Sequence, residues 1–411
     1  MQISPETQQF IREHQSDDIR ALALQAKKYP NVDMPTAITQ IAGRQTAAEK
    51  IPSWKEIEDI WYPKHLSLEQ CSSEITARYK ASLLQGESLT DLTAGFGIDC
   101  SFLAAGFQSV TYVERQEELC EIAVHNFPIL NLNHITVKNE DGVDHLKAMS
   151  PVDCIFLDPA RRNEHGGKTV AISDCEPDVA ELEELLLSKA NQVMVKLSPM
   201  LDLSLALKEL RHTQEVHILS VNNECKELLL LLGQEPPAEQ NPLEEVPIHC
   251  VNLFTKGVQE KQHFVFTREQ EQRSECMYTD TLGSYLYEPN TSLLKAGAFR
   301  SIAAAYPIKK LHPNSHLYTS DRPAEGFPGR AFTVEAVSGF GKRELKALTD
   351  GIGQANLTVR NFPSTVAELR RRLKLREGGD IYLFATTLAD GRKVIVKCKK
   401  APNSSDETDR Q

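Results

Sequence analysis

Over the first 84 residues, apolar side chains recur every three or four positions, the period of an amphipathic helix. "SPETQQFIREH", "DDIRALALQAKKY", "MPTAITQIAGRQTAAEK" and "SLEQCSSEITARYKASLL" all carry this rhythm, which predicts a helical N-terminal domain over residues 1–84. Ser4-Pro5 and Ser67 are the residue types that start helices: a hydroxyl caps unpaired amides, and a proline presets φ.

From Ser88 the pattern changes to short apolar runs alternating with amphipathic helices. "SLTDLTA", "SVTYVER", "HITVKNED", "DCIFLDP", "QVMVKLSP", "EVHILSV" and "ELLLLLG" read as strands. A helix follows the glycines of "AGFG", and "QEELCEIAVHNFPIL", "EPDVAELEELLLSKA" and "LDLSLALKELRH" read as further helices. Such alternation predicts an α/β fold, a mostly parallel sheet with helices on both faces and ligands beyond the carboxyl ends of its strands. "GQEPPAEQNPLEEVP" reads as an exposed loop, and the strand-like runs "IHCVNLF" and "HFVFT" bring this domain to residues 85–270. Residues 271–328 look like a connecting subdomain with at least one helix. Residues 329–400 form a small α+β pattern of strand, helix, strand, helix and a hairpin turning at Asp390-Gly391. The tail, 401–411, has the composition of a disordered segment.

Composition narrows the classes. No apolar run approaches the ~18 residues of a membrane span, and the N-terminus lacks a basic start or cleavage site, so no membrane association and no secretion are expected. Nine cysteines are scattered with no C-x-x-C pair, which fits neither a metal site nor a disulfide framework and predicts a reduced, cytoplasmic protein. The net charge is −11, yet residues 331–400 hold 14 Lys and Arg against 7 Asp and Glu. An acidic body with a basic C-terminal module concentrates any polyanion contact at that end.

The candidate chemistry lies at predicted strand tips. In "DLTAGFGID", Gly95 and Gly97 follow a strand and open a helix, where glycine permits a tight turn and close approach to a ligand. Position 100, where a dinucleotide fingerprint has its third glycine, is Cys100. The next strand ends on Glu114, nineteen residues after Gly95, the spacing at which a carboxylate accepts from ribose hydroxyls. The third ends at Asp141, placed to accept from an adenine amino group. Asp91, Glu114 and Asp141 would repel a pyrophosphate and suit a nucleoside carrying positive charge. As isolated residues, each reads equally as a helix cap or a solvated strand end.

The series "DLTAGFG", "VER", "NEDG" and "LDPAR" resembles the class I methyltransferases that use S-adenosylmethionine, over roughly residues 85–270. The resemblance implies a Rossmann-like sheet in which Asp91, Thr93, Gly95 and Gly97 handle the methionine end, Glu114 the ribose and Asp141 the adenine. "EQCSSEITARYK" is similar to the segment that closes over the cofactor in related RNA methyltransferases. "DPAR" stands where base-amino methyltransferases have Asp/Asn-Pro-Pro and an aromatic residue. Asp158 and Pro159 remain, but Ala160 and Arg161 replace the second proline and the aromatic, a departure from adenine N6 chemistry. Arg161 could stack on a base or hold a phosphate, or, with Arg162, simply pair with the acidic helix "EPDVAELEE". The polar loop "NEHGGKTVAISD" reads as a lid.

Asp158 is the candidate to orient or deprotonate the acceptor. Lys196 and Ser198 in "VKLSP" and Glu224 in "VNNECKE" are candidates for the substrate side, while Cys154 and Cys175 are rejected as nucleophiles. In the C-terminal module, Arg370, Arg371 and Arg372 lead a basic run continued by Lys374, Arg376, Lys393, Lys397, Lys399 and Lys400. This is either a solvated face or an RNA-docking surface. The module resembles the THUMP-like C-terminal region of a bacterial methyltransferase group, which implies RNA contact. These readings converge on an S-adenosylmethionine-dependent methyltransferase of structured RNA, tRNA or rRNA, that needs no metal. A methyltransferase for a small molecule or protein, and a non-catalytic RNA-binding protein that retains the pocket, stand as alternatives.

Overall fold

The computed structural model describes residues 3–161, 171–234, 242–257 and 261–402. The chain divides into two compact units, Met1–Val216 with Glu227–Leu243, and His217–Lys226 with Glu244–Gln411.

The first unit begins with helices α1 (Pro5–Glu13), α2 (Ile19–Leu24), α3 (Met34–Lys50), α4 (Pro52–Lys55), α5 (His65–Gln70) and α6 (Glu74–Ala81). Ser4 caps α1 by accepting from the Thr7 amide, with Pro5 in the first turn. The fourth run is not one helix. Cys71 and Ser73 are extended, and Ser67 lies inside α5 rather than starting it. Two adjacent serines are weak helix formers whose hydroxyls compete for other partners, and here the break turns the Ser72 hydroxyl onto Asp99 at 2.7 Å. The helices bury Trp54, Tyr62, Leu68 and Ala77 in one cluster with Phe96 and Ile98 from the glycine loop. They therefore support the loop directly.

The sheet of this unit is built from β1 (Ser88–Asp91), α7 (Ile98–Leu103), β2 (Ser109–Glu114), α8 (Glu117–Ile129), β3 (Ile135–Asn139), α9 (Gly142–Ala148), β4 (Val152–Leu157), β5 (Ala160–Arg161), β6 (Cys175–Glu176), α10 (Val179–Lys189), β7 (Ala190–Leu197), α11 (Leu203–Glu209), β8 (Thr213–Val221) and β9 (Glu224–Gly233). Strands β3, β2, β1, β4 and β7 lie side by side, all parallel, and β9 adds antiparallel to β7. The chain steps outward from β1 through β2 to β3, then returns to place β4 on the other side of β1. Between β1 and β4 the connections leave in opposite directions, which opens the crevice where such sheets bind ligands. Asp91 and Asp158 stand at that switch point. β5 and β6 form a separate two-residue pairing, and β8 turns into β9 at Asn222-Asn223, both at positive φ.

The second unit takes the tip of that turn, α12 (Pro242–Glu245) from its acidic end, the antiparallel pair β10 (Ile248–Leu253) and β11 (Lys261–Phe266), and α13 (Arg268–Arg273). It continues with β12 (Tyr285–Pro289), α14 (Thr291–Ala296), α15 (Ser301–Ala305), β13 (Lys309–Lys310), β14 (Tyr318–Ser320), β15 (Gly329–Gly339), α16 (Lys342–Leu348), β16 (Asn356–Arg360), α17 (Val366–Leu373), β17 (Ile381–Thr387) and β18 (Lys393–Lys400). The last seven of these strands form one sheet, ordered β13-β14-β12-β15-β18-β17-β16. The segment read as a connection thus supplies three strands of the C-terminal sheet. They run two to five residues, too short for a period-two pattern to stand out.

No helix among the described residues is long and apolar enough to cross a membrane. Most of the predicted lid, the middle of the "GQEPPAEQNPLEEVP" loop and most of the tail fall outside the described residues.

Candidate active site

Asp91, the last residue of β1, is 0% exposed. Its Oδ1 accepts from the Thr93 amide at 3.2 Å, while Oδ2 has no hydrogen-bond partner among the described residues. Burial, and then the nearby carboxylates Asp99, Asp158 and Glu114, push its acid well above the usual range, opposed by the Thr93 amide. A buried carboxyl with an unused oxygen is costly unless it meets a donor or cation.

The glycine loop carries the chain past this carboxyl. Gly95 and Gly97 sit at φ +55° and +83°, the left-handed region. A Cβ on Gly97 would lie 3.2 Å from both the Phe127 and Tyr112 rings, so that face is closed, whereas one on Gly95 would meet nothing nearer than Thr93 O at 4.0 Å. Glu114, 8% exposed, accepts the Gly95 amide at 3.0 Å and the Gln116 amide at 2.8 Å. Both oxygens are thereby fixed, with lone pairs to spare. Asp141 is exposed and caps α9, its Oδ1 accepting from Val143 at 2.9 Å and Asp144 at 3.2 Å. The cap role holds for Asp141 and leaves its second oxygen available.

Across the switch point, the Asp158 amide donates to Thr93 Oγ1 at 2.6 Å, which ties the tips of β1 and β4 together. The Asp158 side chain is 38% exposed and its Oδ2 lies 2.5 Å from Lys196 Nζ. Pro159 is buried, and the Arg161 backbone pairs with Cys175 in the β5–β6 ladder. The Arg161 side chain and all of Arg162 fall outside the described residues. Lys196, 8% exposed, also approaches Asp99 Oδ2 at 3.6 Å. Burial alone would lower its pKa, but Asp158, Asp99 and Glu227 hold it well above the usual lysine value. Ser198 accepts the Met200 amide at 3.3 Å. Glu224 is 73% exposed and pairs with Lys226 at 2.7 Å.

Three charged members of this cluster were not singled out from the chain. Lys80 of α6, 0% exposed, binds Glu227 Oε2 at 2.6 Å, Asp99 Oδ1 at 3.0 Å and the Ser72 hydroxyl at 2.9 Å. Burial would raise the Asp99 acid, yet Lys80 and Lys196 keep it below its ordinary value. A signal existed for Lys80, because it shares the buried face of α6 with Thr76 and Ala77, where a lysine needs a reason. Glu227 gave none. Beyond Glu227, β9 is the unbroken leucine run Leu228–Leu232, apolar on both faces, with no alternation to orient it. Cys154 and Cys175 are both buried, and burial pushes the Cys154 thiol up to about 11.

On the C-terminal sheet, Arg371 and Arg372 of α17 are both exposed, but Arg372 lies 4.1 Å over the Phe340 ring and donates to Phe340 O at 3.2 Å. Lys397 and Lys399 engage Glu335 at 3.5 and 2.6 Å. Arg371, Lys374, Arg376, Lys393 and Lys400 remain as exposed cationic groups.

Comparison with known proteins matches residues 329–400 to a THUMP-like domain and residues 285–328 to a ferredoxin-like domain. None of the curated proteins compared matches the chain. A crystal structure described as a "putative methyltransferase from Porphyromonas gingivalis W83" shares 37% identity with a TM-score of 0.86, covering 96% of this chain and 98% of that one. A "rRNA Methylase from Streptococcus thermophilus" shares 15% identity (TM-score 0.28, 39% of this chain, 93% of that chain). A "putative methyltransferase from streptococcus mutans in complex with SAH" shares 11% (TM-score 0.28, 39% and 96%). These last two likenesses carry no weight. On its near full-length relationship to the Porphyromonas protein, the chain belongs to the class I methyltransferase family that carries a C-terminal THUMP-like domain.

Proposed function

We propose that the chain transfers a methyl group from S-adenosylmethionine to structured RNA, tRNA or rRNA, at the Asp158 tip of β4. The observation that carries the cofactor half is the buried Asp91 Oδ2 at the switch point, unpartnered among the described residues and beside two glycines in the left-handed region. These residues fit the cofactor. Asp91 would take its ammonium end past the open face of Gly95, Glu114 would accept from the ribose hydroxyls, and the second oxygen of Asp141 would accept from the adenine amino group. When bound, the cofactor supplies a methyl already activated on a cationic sulfur. The protein then needs mainly to align the acceptor, exclude water and receive a proton. Asp158 would hold the acceptor, a role supported by the Thr93 hydroxyl fixing its amide and Lys196 fixing its carboxylate.

The RNA half rests on the THUMP-like match, the domain type associated with RNA contact, and on the cationic groups exposed there. The test is transfer of labelled methyl to total RNA from a strain that lacks the protein. Wild type is expected to label RNA, and Asp158→Ala to lose about a hundredfold or more in rate. Absence of label in every RNA would refute the substrate reading, and absence of S-adenosylmethionine binding by calorimetry would refute the cofactor reading.

A further inference from the structure

The charges around Asp158 bear on which atom receives the methyl. We propose that the acceptor is a hydroxyl oxygen, a ribose 2′-OH of the RNA, with the Lys196 ammonium steadying the charge that develops on oxygen and Asp158 taking the proton. This rests on the RNA methyltransferase reading above and deepens it.

An attacking amino nitrogen gains positive charge before it loses a proton. Its site is best furnished with acceptors and an aromatic ring to hold the base, and a neighbouring ammonium opposes it. Two like charges held close together in a partly buried site repel more strongly than they would in water. Here the opposite furniture is present. The residues after Pro159 are Ala160 and Arg161 rather than an aromatic, and Lys196 Nζ lies 2.5 Å from the Asp158 carboxylate. A hydroxyl has the converse need. It is a poor nucleophile until its proton leaves, and a fixed cation stabilises the oxygen as that happens.

The surroundings keep Lys196 charged and in place. Asp99, 3.6 Å from Lys196, is also bound by Lys80 at 3.0 Å, and Lys80 is anchored by Glu227 at 2.6 Å. Two ammonium groups face three carboxylates, Asp99, Glu227 and Asp158, so one added proton neutralises the cluster. Asp158, at 38% exposure, is the member that reaches solvent; the other two acids are 10% and 7% exposed. In the step, the hydroxyl O–H proton passes to Asp158, the new O–CH3 bond forms, and the S–CH3 bond breaks with its electron pair left on sulfur. Asp158 then returns the proton to water.

The full-length protein would be incubated with methyl-labelled S-adenosylmethionine and total RNA from the strain that lacks it. A 2′-O-methyl group makes the adjacent phosphodiester resistant to alkali, so the label is expected in alkali-stable dinucleotides and, by mass spectrometry, on the ribose fragment. Label on a base would overturn the hydroxyl assignment while leaving the RNA reading intact; no label in any RNA would overturn both. Lys196→Met should lower the transfer rate about a hundredfold, while S-adenosylmethionine affinity by calorimetry stays within about threefold, showing the crevice still folded. Lys196→Arg, which keeps the charge, should recover part of the rate. Wild-type transfer by Lys196→Met would overturn the proposal.

Discussion

Among the described residues, one Asp91 carboxylate oxygen has no hydrogen-bond partner at 0% exposure, which affects stability. Its folded-state acid lies well above the reference 3.8, from burial first and then from Asp99, Asp158 and Glu114. For an acid raised in this way, folding is favoured fully below the unfolded value, and that advantage is lost as pH rises through the folded value. Asp91→Asn removes the penalty, so its thermal midpoint should exceed wild type by more at about pH 8 than at about pH 5. The same variant should bind S-adenosylmethionine at least about tenfold more weakly by calorimetry, since a charged hydrogen bond worth ~1.5–3 kcal/mol is lost. Lys80 is subject to a different balance. Breaking a buried ion pair on one side costs about 3–5 kcal/mol, but replacing both partners with apolar groups costs far less. Lys80→Met should therefore lower stability in urea unfolding by that amount, and Lys80→Met with Glu227→Leu should recover much of it. Equal losses in the single and double variants would contradict the pairing.

Among elements, the N-terminal helices and the glycine loop share one apolar cluster, in which Phe96 packs edge-on against Trp54 with ring centroids 5.6 Å apart. Phe96→Ala should cost about 3–5 kcal/mol by denaturant unfolding and loosen the loop, weakening S-adenosylmethionine binding even though Phe96 is buried. Strands β1 to β4 and their intervening helices could be read from the chain because short apolar runs alternate there regularly with amphipathic helices, a repeat that spans many residues. The break at Cys71–Ser73 could not. Helical spacing persists through it, and the weak helix formers Ser72 and Ser73 end the helix there because the Ser72 hydroxyl finds Asp99 across the fold. β12 to β14 were hidden for the opposite reason, being too short to show any period.

At the level of the molecule, the basic run of the C-terminal domain divides into engaged and exposed groups, and this separates its residues experimentally. Arg371→Ala should weaken RNA binding and make the plot of log affinity against log salt shallower by about 0.7–0.9. Arg372→Ala should change that slope less, because its guanidinium is held on Phe340. Equal slopes for the two would show that the stacking is released on binding. The excess of lysine and arginine in this domain is visible without any fold. Which of those side chains remain available depends on Glu335 and Phe340, brought close by strand pairing and by the packing of α17.

Local order alone was enough to determine the alternation of elements, the parallel sheet and the carboxylates Asp91, Glu114, Asp141 and Asp158 at successive strand tips, because hydrophobic period and strand-end position are properties of neighbouring residues. Tertiary structure decided what those tips face. Lys80 and Glu227 are 147 positions apart in the chain and meet at 2.6 Å, and Lys196 reaches Asp158 only because β7 pairs with β4 in this register. Ion pairing falls off steeply with distance in a screened medium, so no local pattern announces it. It exists only once the sheet has closed around it.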